Sequence, residues 1–113
     1  MVKPIMYVEG MDGQVELLPD RVVVHRKGLW NAFKFGLTSR REIPLGAISE
    51  VGFKPPSMIT FGEIEFVRSG RSSGDRARTN PNAVKFPRKK QAEFERLKEK
   101  VFTMLEHLSR QKQ

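Results

Sequence analysis

Apolar and polar positions alternate in short runs through the first two thirds of the chain, then change to a helical period. Val15 and Leu17 fall on one face of the run Gln14–Leu18, the pair Pro19-Asp20 supplies a turn, and Val22 and Val24 share a face of Arg21–Arg26. These two strands read as the first hairpin. Arg41–Pro44 is a short strand stopped by proline, Leu45–Ile48 is a turn, and Ser49–Lys54 is a strand with Val51 and Phe53 on one face, broken by Pro55-Pro56. Gly62–Val67 alternates cleanly, which sends Ile64 and Phe66 inward and Glu63 and Glu65 to water. Asn82–Phe86 is a last short strand. Residues 1–12 are an N-terminal extension or an edge strand, Lys27–Gly36 is an aromatic connection, and residues 69–82 are a flexible loop with almost nothing to bury. Pro87 suits a helix start. Over residues 88–109 the positions Phe94, Leu97, Val101, Met104, Leu105 and Leu108 follow the 3.6-residue period and form a core-facing stripe. Short strands followed by one amphipathic helix predict a single α+β domain over residues 1–113: an antiparallel barrel or sandwich capped by the C-terminal helix.

Composition narrows the chemistry. The 113 residues include no cysteine, which removes disulfides, thiol nucleophiles and thiolate metal sites. No apolar run approaches the roughly 20 residues that span a bilayer, and the first residues lack a signal peptide's apolar segment, so the expected location is the cytoplasm. The formal net charge is +8, and nearly all of it sits in residues 68–90. Arg68, Arg71, Arg76, Arg78, Lys85, Arg88, Lys89 and Lys90 face Asp75 alone there. Such a patch attracts nucleic-acid phosphates, anionic lipid headgroups or an acidic protein surface, and charge alone does not choose among them.

The strings Gly13–Leu17, Asp20–Val24, Arg26-Lys27-Gly28, Glu42–Leu45, Ile48, Val51, Phe53-Lys54, Gly62–Phe66, Asn82–Phe86 and Phe94–Leu97 together resemble a bacterial pleckstrin-homology-like (PH-like) domain. The resemblance covers residues 13–108. It implies a seven-stranded bent barrel or sandwich capped by the C-terminal helix, in a family from bacteria and their viruses whose members mostly have unknown function. It implies binding rather than catalysis. Eukaryotic relatives of that fold hold phosphoinositides with basic residues around the first hairpin loop. Here the predicted first hairpin turn, Leu18–Arg21, carries Asp20 at its tip, and the basic residues come late in the chain.

Enzymatic motifs are missing. Gly70–Gly74 matches G-x-S-x-G but lacks the strand and helix a nucleophile elbow requires, no phosphate-binding glycine loop occurs, and His25 and His107 have no ligand-spaced companions. The sequence therefore predicts no enzyme, no cofactor, no metal and no small-molecule substrate. Three features suit recognition. Arg71, Arg76, Arg78, Lys85, Arg88, Lys89 and Lys90 form the anion-attracting cluster, the last three crowding a helix start that disfavours cations. Leu29, Trp30, Phe33 and Phe35 in one connection, with Met58, Ile59 and Phe61 in another, either close the barrel ends or form an exposed protein-binding patch. Glu95, Glu99, Phe102 and Glu106 line one outer side of the helix, where Phe102 offers a berth for the basic loop of a second copy. The expected function is a binding module for protein contact or self-assembly. Nucleic-acid binding through residues 68–90 is the alternative, and peripheral docking on an anionic membrane is third.

Overall fold

Register explains the sheets. In the computed structural model, which describes residues 3–26, 40–69 and 82–111, the strands β1 (Met6–Glu9), β2 (Gly13–Leu17), β3 (Arg21–Arg26) and β4 (Arg40–Pro44) form one antiparallel sheet in that order. A 3-10 turn at Leu45–Ala47 leads into β5 (Ile48–Lys54), which pairs with β6 (Gly62–Arg68), and β6 pairs with β7 (Ala83–Phe86) in a second antiparallel sheet. A second 3-10 turn, Arg88–Lys90, opens directly into α1 (Gln91–Gln111). The pairs Val15↔Val24 and Val22↔Ile43 in the first sheet, with Val51↔Phe66 and Ile64↔Val84 in the second, line the inner faces with β-branched and aromatic side chains. All eight belong to one core that also takes Phe94, Leu97 and Val101 of α1, with Met104, Leu105 and Leu108 packed at its margin. The helical stripe read from the sequence is thus the helix's buried side.

An aromatic column fastens the helix. The Phe94 ring stacks on Phe86 at 4.4 Å and 9°, Phe86 lies 5.5 Å from Phe53, and Lys98 Nζ caps Phe53 at 4.7 Å from its centroid. One column therefore joins α1, β7 and β5. The two sheets are also stitched by backbone at one corner. The Met11 N–H donates to Lys85 O at 2.7 Å, and the Lys85 N–H donates to Asp12 Oδ1 at 2.8 Å, tying the β1–β2 turn to β7. Gly10 makes this approach feasible, because a Cβ there would lie 2.5 Å from both Lys85 O and Val84 Cγ1.

The structure corrects several expectations. Met6–Glu9 is an edge strand, so the first hairpin is β1–β2 with its turn at residues 10–12, and Leu18–Arg21 turns the second hairpin. The true first turn carries Asp12 and no cation. Glu65 is buried, not solvated, and Val67 on the same side is buried with it. Their strand is the middle one of three, so period 2 set the face correctly but not what covers it. Val23 is fully buried although it faces away from Val22 and Val24. Its cross-strand partners are Glu16 and Glu42, and the same outer face holds Arg21 Nε 2.7 Å from Glu42, Arg40 3.5 Å from Glu42, and half-buried His25 Nε2 3.1 Å from Glu16.

Tyr7, beside Glu16 on the same face, donates its hydroxyl to Gln14 Oε1. Partial burial of the phenol, then the charges of Glu9 and Glu16, raise its pKa above the ordinary 10.0. The folded chain holds this proton longer than the unfolded one. Its contribution to stability is therefore whole below pH 10.0 and is lost as pH climbs through the higher folded-state value. Tyr7 is the only tyrosine, so phenolate absorbance titrates it alone. The expected midpoint lies above 10.0 and drops in Glu16→Gln; a wild-type midpoint at or below 10.0 overturns the assignment.

Candidate functional site

The Pro55-Pro56 step ends β5 and the chain returns at Gly62, leaving a connection of seven residues from Pro55 to Phe61. Its middle is a hydrogen-bonded turn. The Ser57 N–H donates to Thr60 O at 2.9 Å, the N–H groups of Ile59 and Thr60 donate to Ser57 Oγ at 3.3 and 3.0 Å, and the hydroxyls of Ser57 and Thr60 meet at 2.6 Å. This scaffold holds Met58 and Ile59 out, each 92% exposed, with Phe61 52% exposed behind them. Large apolar side chains so fully presented by an internally bonded turn are not filling a barrel end.

Cations surround this tip. A cleft of about 400 Å³ runs along Pro56–Phe61 and is flanked by Arg88, and an adjoining cleft of about 320 Å³ is lined by Lys54, Ile59, Thr60, Phe61, Glu63 and Lys85. Strand register accounts for the second group: Lys54 pairs with Glu63, and Glu63 with Lys85, placing one carboxylate between two ammonium groups across three strands. The pair Gly62↔Phe86 brings the end of β7, and hence the Arg88–Lys90 turn, beside the loop. Lys90 lies 3.3 Å from Glu93, whereas Arg88 and Lys89 are exposed and have no ion-pair partner among the described residues. Met11, 46% exposed, is bonded to Lys85 through its backbone but lines neither cleft.

Of the residues singled out from the sequence, the structure brings together Phe61, Lys85 and Arg88, with Met58 and Ile59, while Lys89 follows Arg88 in its turn but lines neither cleft. Phe102 is 46% exposed on α1, about 16 Å along the helix from its start at 1.5 Å per residue, and belongs to a different region. Arg71, Arg76, Arg78, Leu29, Trp30, Phe33, Phe35 and the string Gly70–Gly74 lie outside the described residues. Sequence reasoning missed Lys54, Ser57 and Thr60. A local signal existed for the last two, because Ser-x-x-Thr after a proline pair is a hydroxyl-capped turn, while Lys54 joins only through strand pairing.

Among the described residues, no group of three or more His, Asp or Glu side chains is placed to hold a metal ion, and no helix is long and apolar enough to cross a membrane. No protein-family model, curated protein or solved structure matches the chain.

Proposed function

We propose that this chain is a non-catalytic, cytoplasmic binding module of PH-like type whose working face is the Pro55–Phe61 loop with Lys54, Lys85 and Arg88. The PH-like reading is supported by the order of elements along the chain: four antiparallel strands, three more in a second sheet, then one helix packed on both. The working face is supported by one observation above the rest, the bonded turn that presents Met58 and Ile59 beside Arg88, which has no ion-pair partner among the described residues. A partner must then be acidic and apolar at once. An acidic protein surface with an apolar cleft, a second copy's helix with Phe102 among Glu95, Glu99 and Glu106, and an anionic bilayer each meet that description. A nucleic-acid backbone meets only its charge; this second reading is favoured by unpaired Arg88 and Lys89.

Anilinonaphthalene sulfonate, an aromatic anion, carries both required features and tests the face directly. Wild type is expected to bind it saturably with a rise in fluorescence. The double variant M58S/I59S should weaken binding at least about tenfold, from the apolar area removed. Arg88→Glu should weaken it about 30-fold, because the reversal changes the local charge by two units at roughly 1 kcal/mol each in water. Absence of saturable binding overturns the reading. Binding that ignores the tip variant but vanishes in Arg88→Glu replaces it with the phosphate-backbone reading.

A further inference from the structure

We infer that the partner of this face is an anionic lipid bilayer, with Met58 and Ile59 entering the acyl region and Lys54, Lys85 and Arg88 resting at headgroup level; the inference rests on the working face proposed above. Three observations carry it. The first is the state of the loop's polar groups. Hydrocarbon supplies no hydrogen-bond partners, so an inserted segment must satisfy its own donors. Here the N–H groups of Ser57, Ile59 and Thr60 and the hydroxyls of Ser57 and Thr60 are satisfied inside the turn, while the N–H of Met58 is not bonded there, so the side chains of Met58 and Ile59 enter the acyl region and the turn's backbone stays at headgroup level.

The second is the direction of the apolar groups. Met58 and Ile59 are consecutive and both 92% exposed, so they project from the tip rather than lie along one side of a groove. A fluid phase accepts both without being shaped to either. The third is the layering of charge. Lys54 and Lys85 stand at the ends of β5 and β7 and Arg88 at the base of the loop, behind the tip, with Glu63 the one acidic side chain lining the two clefts among the described residues. Long cationic side chains at that depth reach a negatively charged surface while the tip sits below it. Neither cleft is a closed pocket for one headgroup, so recognition follows surface charge, not headgroup identity.

The test is co-sedimentation of the full chain with large vesicles at about 0.1 M salt. One set is phosphatidylcholine alone; the other contains about three parts phosphatidylcholine to one part phosphatidylglycerol, an anionic surface of the kind that attracts basic segments. Wild type is expected to pellet with the anionic vesicles and remain in solution with the neutral ones. The variant M58S/I59S should partition at least about tenfold less. The variant K85Q/R88Q should lose about 25-fold, at roughly fivefold per cation. All four positions are exposed, and unchanged circular dichroism in the variants separates lost docking from lost folding. Wild type that stays in solution with anionic vesicles overturns the inference, as does a tip variant that pellets like wild type. If the fluorescent sulfonate still binds while vesicles do not, the working face stands and an acidic protein surface replaces the bilayer as its partner. If both fail, the face itself is refuted.

Discussion

Phe94→Ala is expected to lower the free energy of unfolding by about 3–5 kcal/mol, the usual cost of truncating a buried aromatic. Phe94 is wholly buried and stacks on Phe86, whose own ring reaches Phe53, so the change removes the end of a column instead of one isolated contact. The hole cannot close easily. Leu97 and Val101 on the same helix are themselves fully buried against the core, which keeps α1 from sliding into the space. A domain of this size is stable by about 5–15 kcal/mol, so the loss is a large share of the total. Urea unfolding followed by circular dichroism should show a lower midpoint with little change in slope. A loss below about 1 kcal/mol would show that the helix does not depend on this stack for its hold on the sheets.

Gly10→Ala is expected to cost about 1–3 kcal/mol, the range for an added methyl in a packed site. The new Cβ meets Lys85 O and Val84 Cγ1 at 2.5 Å, and neither has room to withdraw. Lys85 O is fixed by the Met11 N–H, and Val84 is fully buried in the core. Since Gly10 does not occupy the left-handed backbone region, the cost is one of contact and not of turn geometry. Asparagine, which tolerates left-handed turns, should therefore fare no better than alanine. Amide exchange at Met11 and Lys85 should accelerate more than exchange at Val24 in the middle of the first sheet. Uniform acceleration would assign the loss to general destabilisation, and unchanged stability would show that the corner has slack.

Those two sites mark what the sequence discloses and what it withholds. The strand Arg21–Arg26 and the helical stripe were legible because their periods are long enough to separate an inner from an outer side. Met6–Glu9 was ambiguous because a four-residue edge strand with one buried member, Val8, shows no period. Glu65 was misassigned because alternation names a face without revealing its cover. At the candidate site the cations were visible as composition, and Met58, Ile59 and Phe61 as an apolar connection. That they meet was not visible. The meeting depends on Gly62↔Phe86, a pairing across 24 positions that no local pattern announces.

The backbone clamp at Lys85 also sets a timetable. The same residue lines the cleft beside the loop and, through its N–H, holds Asp12 from 73 positions earlier in the chain. Contacts of such separation close late, after local turns and hairpins have formed. A chain that has made β5, β6 and their loop but has not yet paired Gly62 with Phe86 displays Met58 and Ile59 without Lys85 or Arg88 beside them, and the clamp to Asp12 then joins that surface to the first sheet. The apolar and cationic halves of the surface are thus assembled in sequence, and only the finished fold offers both.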